Sequence, residues 1–251
     1  MNIFDISGKK AIVTGAAQGL SRGMAEGLME AGVEVTILDL SPATEAVAEE
    51  YTNKGYKCHG IRVNIGDREA REKAFSEAVE KMGGLDILVN GAGVQRRHKC
   101  EEFPLEDWNF VLDINLTAAF ALCQLAVREF LKNGGGKIVN IASMLSFFGG
   151  YTVPAYAASK GGVAQFTKAF ANELAGKNIN INAIAPGYMA TDMNTGLIQD
   201  PVRNNEILSR IPAGRWGTPD DMKGTVVFLS SKASDYLNGA VIPVDGGYLN
   251  R

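Results

Sequence analysis

Tyr156 and Lys160 stand four residues apart in Tyr156-Ala-Ala-Ser-Lys160, so on a helix they share one face. A phenol has a pKa near ~10, too high for a general base at neutral pH. A neighbouring ammonium favours the phenolate, and bringing the phenol to about 7 takes roughly 4 kcal/mol of differential stabilisation. The pair could therefore move a proton to or from a substrate oxygen. Tyr/Lys pairs at this spacing also occur on solvated helix faces. What raises this one is Ser143, thirteen residues earlier, at the end of a predicted strand.

A second constellation points to a nucleotide. Thr14-Gly-Ala-Ala-Gln-Gly-Leu-Ser21 lies between a predicted strand and a predicted helix. Glycines there let the backbone approach a pyrophosphate, and the helix start offers N–H groups and a positive dipole end. Gly-rich turns also serve backbone geometry alone, so the flanking strand and helix carry the argument. Asp39 ends the next strand, 24 residues after Gly15, close to the ~20-residue offset at which a carboxylate receives the ribose hydroxyls of NAD. A carboxylate there repels the 2′-phosphate of NADP; the plain alternative is a turn or helix-capping Asp. A third feature is the basic run Arg96-Arg97-His98-Lys99, which is either a solvated loop or a reader of a substrate carboxylate.

Alternating short apolar runs and longer helical patterns must position these groups. Strands are expected at 11–13, 34–39, 57–64, 86–90, 137–141, 179–184 and 241–244. Helices are expected at 21–31, 42–54 (with Pro42 at its start), 67–82, 105–132, 154–176 and 220–229. This order predicts a parallel sheet with right-handed crossovers, helices on both faces, and a ligand site beyond the carboxyl ends of the strands. Only 188–215 breaks the alternation, and its length suits a lid over a site. The whole chain, 1–251, reads as one domain.

Composition bounds the rest. The chain has 251 residues, 46% hydrophobic and 21% charged, with 25 Lys+Arg against 28 Asp+Glu and a net charge of −3. That balance argues against a general nucleic-acid or anionic-membrane binder. No uninterrupted apolar run approaches ~18 residues, so no membrane span is expected. Cys58, Cys100 and Cys123 suggest neither a disulfide framework nor, with only His59 and His98 beside them, a metal site. No signal-peptide pattern precedes the first strand, and the expected location is the cytoplasm.

Taken together, Thr14-Gly-x-x-x-Gly19, Asn90-x-Ala-Gly93, Asn115, Ser143, Tyr156-x-x-x-Lys160 and Pro186-Gly187 resemble the short-chain dehydrogenase/reductase family, over about residues 8–248. The resemblance implies a single-domain α/β Rossmann fold: a doubly wound, seven-stranded parallel sheet in the order 3-2-1-4-5-6-7. It also implies a nicotinamide-dependent oxidoreductase acting on CH–OH groups, for which Asp39, with Gln18 in place of an arginine before Gly19, points to NAD, and a homotetramer built through the helices at 105–132 and 154–176. By the same resemblance, Tyr156 is the acid/base and Lys160 lowers its pKa and holds the nicotinamide ribose. Ser143 bonds the reacting oxygen, and Asn115 kinks its helix so that a carbonyl holds a relay water. Cofactor contacts are implied for Gly15, Gln18, Gly19, Leu20, Asp39, Asn64, Ile65, Asn90, Ala92, Gly93, Tyr156, Lys160, Pro186, Gly187, Met189 and Thr191.

Three positions depart from the family pattern. Ser21 stands where a third glycine is usual, which should loosen helix packing slightly and could add a phosphate contact. Asn64 replaces an Asp that contacts adenine, and Gly91 replaces the second residue of Asn-Asn-Ala-Gly. Around the site, Ile141–Gly150, Arg96-Arg97, Asn182–Thr191, Ile211–Gly217 and Val244–Tyr248 resemble the deoxy-sugar-acid branch of the family. Its activities are 2-deoxy-D-gluconate 3-dehydrogenase and 2-dehydro-3-deoxy-D-gluconate 5-dehydrogenase. Substrate contacts are then expected from Ser143, Tyr156 and one of Arg96 and Arg97, with Arg97 favoured because neighbouring side chains in a loop diverge. Gluconate 5-dehydrogenase shares the paired arginines and remains open. So does 3-oxoacyl-carrier-protein reductase, although Asp39 disfavours its usual NADPH. A non-catalytic nucleotide-binding scaffold is a further alternative, disfavoured by the intact Ser143, Tyr156, Lys160 and Asn115.

Overall fold

Seven parallel strands form the centre of the computed structural model, which describes residues 2–251. They are β1 (Lys10–Thr14), β2 (Glu34–Asp39), β3 (Cys58–Arg62), β4 (Ile87–Asn90), β5 (Gly136–Ile141), β6 (Ile179–Pro186) and β7 (Val241–Val244). Their order is β3-β2-β1-β4-β5-β6-β7, as the resemblance implies. Continuous apolar runs such as Ala11-Ile-Val13 form strands here because helices cover both faces. Ala11 and Val13 pack on one face with α1 (Gly19–Glu30), α2 (Thr44–Asn53) and α9 (Lys223–Ser230). Ile12, between them, packs on the other face with α3 (Arg68–Met82), α5 (Ala119–Asn133) and α6 (Pro154–Leu174). Strand order reverses between β1 and β4, so a crevice opens past their carboxyl ends.

Three expectations are corrected. Helix α2 starts at Thr44, not Pro42, because Ser41 to Thr44 forms a tight turn: Thr44 N donates to Ser41 O at 3.2 Å, and Ala43 N donates to Ser41 Oγ at 3.2 Å. Pro42 occupies the second turn position, where its fixed φ suits the chain. The single helix expected over 105–132 is α4 (Leu105–Leu112), a π turn (Asp113–Ala118) and α5. That path is also long and apolar enough, by length and mean hydropathy, to cross a membrane. Its apolar residues are interspersed with polar ones, which is why no continuous run showed it. Its Ala118, Leu122, Cys123, Ala126 and Phe130 are buried in the core. Finally, the helix expected from 220 begins as a 3-10 turn (Pro219–Met222), capped reciprocally by Thr218 and Asp221.

The irregular segment after β6 holds two short helices, α7 (Thr195–Gln199) and α8 (Pro201–Ser209). Asp200 caps α8 by accepting from Val202 N and Arg203 N. Ile207 and Ile211 tuck under the segment against Met144 and Tyr248.

Candidate active site

The crevice past β1 and β4 is lined by most of the residues singled out in the sequence. The Gly15–Gly19 turn, Leu20, Asp39, Asn64, Ile65, Ala92, Gly93, Pro186, Gly187, Met189 and Thr191 all face it, together with Ser143, Tyr156 and Lys160. Its floor is tightly made. Thr14 Oγ1 accepts from Gly91 N and Ala92 N, both at 3.1 Å, and so joins the ends of β1 and β4. Gly15 has φ +71°, and a Cβ there would stand 2.6 Å from Ala92 Cα. Only glycine lets the two turns approach this closely. Apolar Leu40, Val63 and Ile114 line this channel alongside the carboxylate of Asp39, a lining whose chemistry suits the apolar base and the ribose hydroxyls of a dinucleotide. Those three apolar positions, with Leu38, Gly91, Val94, Asp192, Met193 and Asn194, are site residues that the sequence reading missed. For Leu40, Val63 and Gly91 the signal lay in their place just after strand ends, whereas Ile114, in the π turn, gave no such local signal.

Asp39 does more than face the crevice. Its Oδ2 accepts from Ala17 N and its Oδ1 from Ser41 N, each at 2.9 Å. One side chain therefore ties the Gly-rich turn to the turn before α2, so the turn alternative is also true of it, although Asp39 caps neither helix.

At the other end, Tyr156 and Lys160 lie in the first turns of α6. Lys160 is 3% exposed, and its Nζ donates to Ile141 O at 2.6 Å. Burial pushes its pKa down to about 8. The Tyr156 phenol is raised above its ordinary value by removal from water, and a hydrogen bond with the Ser143 hydroxyl acts the other way. This corrects the expected direction. The ammonium is turned onto Ile141 O, 5.7 Å from the Tyr156 ring centroid, and desolvation wins. At neutral pH the phenol is therefore a proton donor. Ser143 is buried, and its Oγ also accepts from Leu145 N at 3.1 Å. Ser146 Oγ donates to Lys160 O at 2.7 Å and accepts from Ser143 N at 3.2 Å, which fixes the serine turn against α6.

Asn115 sits inside the π turn, where the α-helical ladder is locally interrupted. Its Oδ1 accepts from Val94 N at 2.8 Å, and its Nδ2 donates to Val94 O at 2.9 Å and to Ser159 Oγ at 3.2 Å. The side chain thus clamps the loop after β4 to α6, one residue from Lys160.

Two expected site residues lie elsewhere. The Asn90 side chain points into the core, where its Nδ2 meets Ala119 O, Cys123 Sγ and Asn140 Oδ1. It belongs to a buried polar chain running on through Thr167. Arg96 lies 3.4 Å from the Asp107 carboxylate, and its guanidinium sits 4.6 Å from the Phe110 ring centroid. His98 also reaches Asp107, at 2.6 Å, and its N donates to Thr152 O. In this extended stretch residues 96 and 98 share one side, so Arg97 points to the other. That side is a second cavity, which Arg97 lines with Ser143, Met144, Tyr156, Tyr188 and residues of α8.

Ser21 is also corrected. It is buried, and a Cβ placed at Gly91 would overlap its Oγ. Packing is therefore not looser: the extra atoms of Ser21 occupy the space that a side chain at 91 would need. The two departures from the family pattern compensate each other.

A family model described as enoyl-(acyl carrier protein) reductase matches residues 15–249. A 2-dehydro-3-deoxy-D-gluconate 5-dehydrogenase of Dickeya dadantii (strain 3937) is 47% identical over 252 residues, covering 100% of this chain and 99% of the relative. An Agrobacterium tumefaciens crystal structure with bound NADP, provisionally described as a 2-deoxy-D-gluconate 3-dehydrogenase, is 46% identical. It superposes with a TM-score of 0.93 and 100% coverage of both chains. A gluconate 5-dehydrogenase from Burkholderia cenocepacia J2315, in complex with NADP and tartrate, is 34% identical with a TM-score of 0.96, covering 100% of this chain and 98% of that one. The chain belongs to the short-chain dehydrogenase/reductase family of oxidoreductases.

Proposed function

We propose that this protein interconverts a hydroxyl and a ketone on a deoxyhexonate, in the manner of 2-dehydro-3-deoxy-D-gluconate 5-dehydrogenase or 2-deoxy-D-gluconate 3-dehydrogenase, with NAD(H). The observation that carries the reading is the seam at Ser143 and Tyr156. Both residues line the dinucleotide-shaped crevice and the cavity that holds Arg97. A sugar acid in that cavity presents its keto oxygen to Tyr156 and Ser143 and its carboxylate to Arg97. The nicotinamide, when bound, supplies or takes up the hydride. Tyr156 gives its proton to the substrate oxygen during reduction and takes it back during oxidation, while the Ser143 hydroxyl fixes that oxygen. Lys160 holds positive charge beneath the pair, which favours the phenolate left behind. Asn115, Gly15, Gln18 and Thr191 position the partners and do not react.

Asp39 supports NAD(H): a 2′-phosphate beside this carboxylate is repelled. NADP(H) is the second reading. It is favoured by NADP in the two related crystal structures and by Arg62, whose Nε donates to Leu40 O at 3.2 Å beside the crevice. A cytoplasmic homotetramer completes the proposal. Phe110 and Phe120 are exposed large apolar groups on the α4–α5 path, and Phe120 meets Phe166 and Phe170 of α6 edge-on. That face suits the two-helix contact. Sedimentation of a monomer would remove the assembly proposal without touching the chemistry.

The deciding experiment measures kcat/KM with NADH and NADPH against keto-deoxyhexonates, 5-keto-gluconate and a 3-oxoacyl thioester. Highest turnover on a keto-deoxyhexonate with NADH is expected. Preference for 5-keto-gluconate moves the protein to the gluconate 5-dehydrogenases, and preference for the thioester overturns the sugar-acid reading. Higher kcat/KM with NADPH would refute the role given to Asp39.

A further inference from the structure

The cavity beyond Tyr156 contains more positive charge than one carboxylate reader accounts for. Four charged side chains line it: Arg97, Arg203, Glu206 and Arg210. Arg203 is committed to Glu206 at 2.6 Å. Arg97 and Arg210 have no carboxylate partner among the described residues. The cavity therefore carries two uncompensated guanidinium groups in a chain of net charge −3.

Arg210 is also pre-positioned. It follows the last turn of α8, and its guanidinium lies 4.6 Å from the Tyr248 ring centroid. Tyr248 is itself held by Phe148, stacked at 6.0 Å, and by Tyr188, edge-on at 5.2 Å. Stacking on a fixed aromatic ring limits the rotamers of a long side chain and leaves its N–H fork free to bind in the ring plane. Arg97 comes from the loop after β4, whereas Arg210 comes from the irregular segment between β6 and α9. The two cations thus enter one cavity from two separate parts of the chain.

We infer that Arg210 is a second specificity-determining residue, which binds the substrate carboxylate together with Arg97 and links sugar-acid recognition to the α7–α8 segment. The inference rests on the sugar-acid reading above.

The test compares Arg210→Met and Arg210→Gln with Arg97→Ala and the Arg97→Ala/Arg210→Met double variant. Met keeps the apolar contact with Tyr248 and removes the charge. A keto-deoxyhexonate and an uncharged ketohexose serve as substrates, and the Kd for NADH reports folding and cofactor binding. Arg210→Met should lower kcat/KM for the sugar acid by about 10- to 100-fold, mostly through KM, as expected for a charged hydrogen bond. It should leave the ketohexose rate and the NADH Kd within about twofold. The double variant should lose less than the product of the single losses, because both groups serve one carboxylate. Equal losses on both substrates would make Arg210 a packing residue and overturn the inference. So would an unchanged rate on the sugar acid, while leaving the functional reading intact. A wild-type preference for the ketohexose would overturn both.

Discussion

Around Gly15 an added Cβ would come within 2.6 Å of Ala92 Cα, and around Gly91 it would strike Ser21. Around Arg97 and Arg210, by contrast, side chains reach into open space from exposed positions. The crevice proposed for the cofactor and the cavity proposed for the substrate meet at Ser143 and Tyr156, yet they are built differently. The crevice is made of backbone turns interlocked at strand ends, so its shape tolerates little change. The cavity is walled by one extended loop and one irregular segment, so its charges can be exchanged at small cost to the fold. A scaffold of this kind can keep one redox cofactor while substrate preference varies.

The largest expected effect lies at the seam. Tyr156→Phe should lower turnover by about 10²–10⁴-fold or more, because it removes the proton carrier, and should leave NADH affinity nearly unchanged. A variant that keeps half the rate removes Tyr156 from the chemistry. Because the phenol is raised above its ordinary value, alcohol oxidation should quicken as pH rises into the alkaline range, whereas ketone reduction should not need that rise.

Next is Lys160, whose pKa is pushed down to about 8 from 10.5. Its charged form is disfavoured in the folded protein. Between pH 8 and 10.5 the unfolded chain therefore binds more protons, and the cofactor-free protein should gain stability as pH rises through that window, by up to about 3 kcal/mol from this group. Below pH 8 the penalty is fully present. Urea midpoints at pH 7 and pH 9.5 should differ in the wild type and converge in Lys160→Met; parallel shifts in both proteins would assign the pH dependence to other groups.

The third prediction separates adjacent arginines. Arg97→Ala should cost about 10- to 150-fold in kcat/KM for a sugar acid, the worth of a charged hydrogen bond, and much less with a neutral ketone. Arg96→Ala, directed at Asp107 and Phe110, should cost only a few-fold. Reversal of that order would place the loop the other way round.

The smallest effect tests the tight side of the comparison. Gly91→Ala should destabilise by about 1–3 kcal/mol through overpacking. Ser21→Gly should recover part of the loss, because Thr14 O would still lie 2.9 Å from the new Cβ. Additive effects, with no recovery in the double variant, would show that the two positions do not share space.

Much of the site was legible because its signals are local. Tyr156 and Lys160 lie one helical turn apart. The Gly15–Gly19 turn lies between a strand and a helix, and Asp39 closes the following strand. Strand positions were readable because parallel strands buried on both faces carry continuous apolar runs. Asn90 was misplaced because its motif is at the crevice while its side chain faces the opposite way, into the core. Pro42 was misplaced because proline suits a turn as well as a first helical residue.

The sequence by itself determined the order of the elements, the glycine turn between β1 and α1 and the Tyr156/Lys160 pairing on which the proposed proton transfer rests, since each depends on residues close together in the chain. Only the tertiary structure decided that Asn115 clamps Val94, that Ser21 fills the space above Gly91, and that Lys160 turns onto Ile141 O while the Tyr156 phenol rises. It also decided that Arg97 and Arg210, far apart in the chain, line one cavity. Steric exclusion, desolvation and charge pairing depend on which atoms meet across the fold. Those meetings are set by strand order and helix packing, which spacing along the chain does not encode.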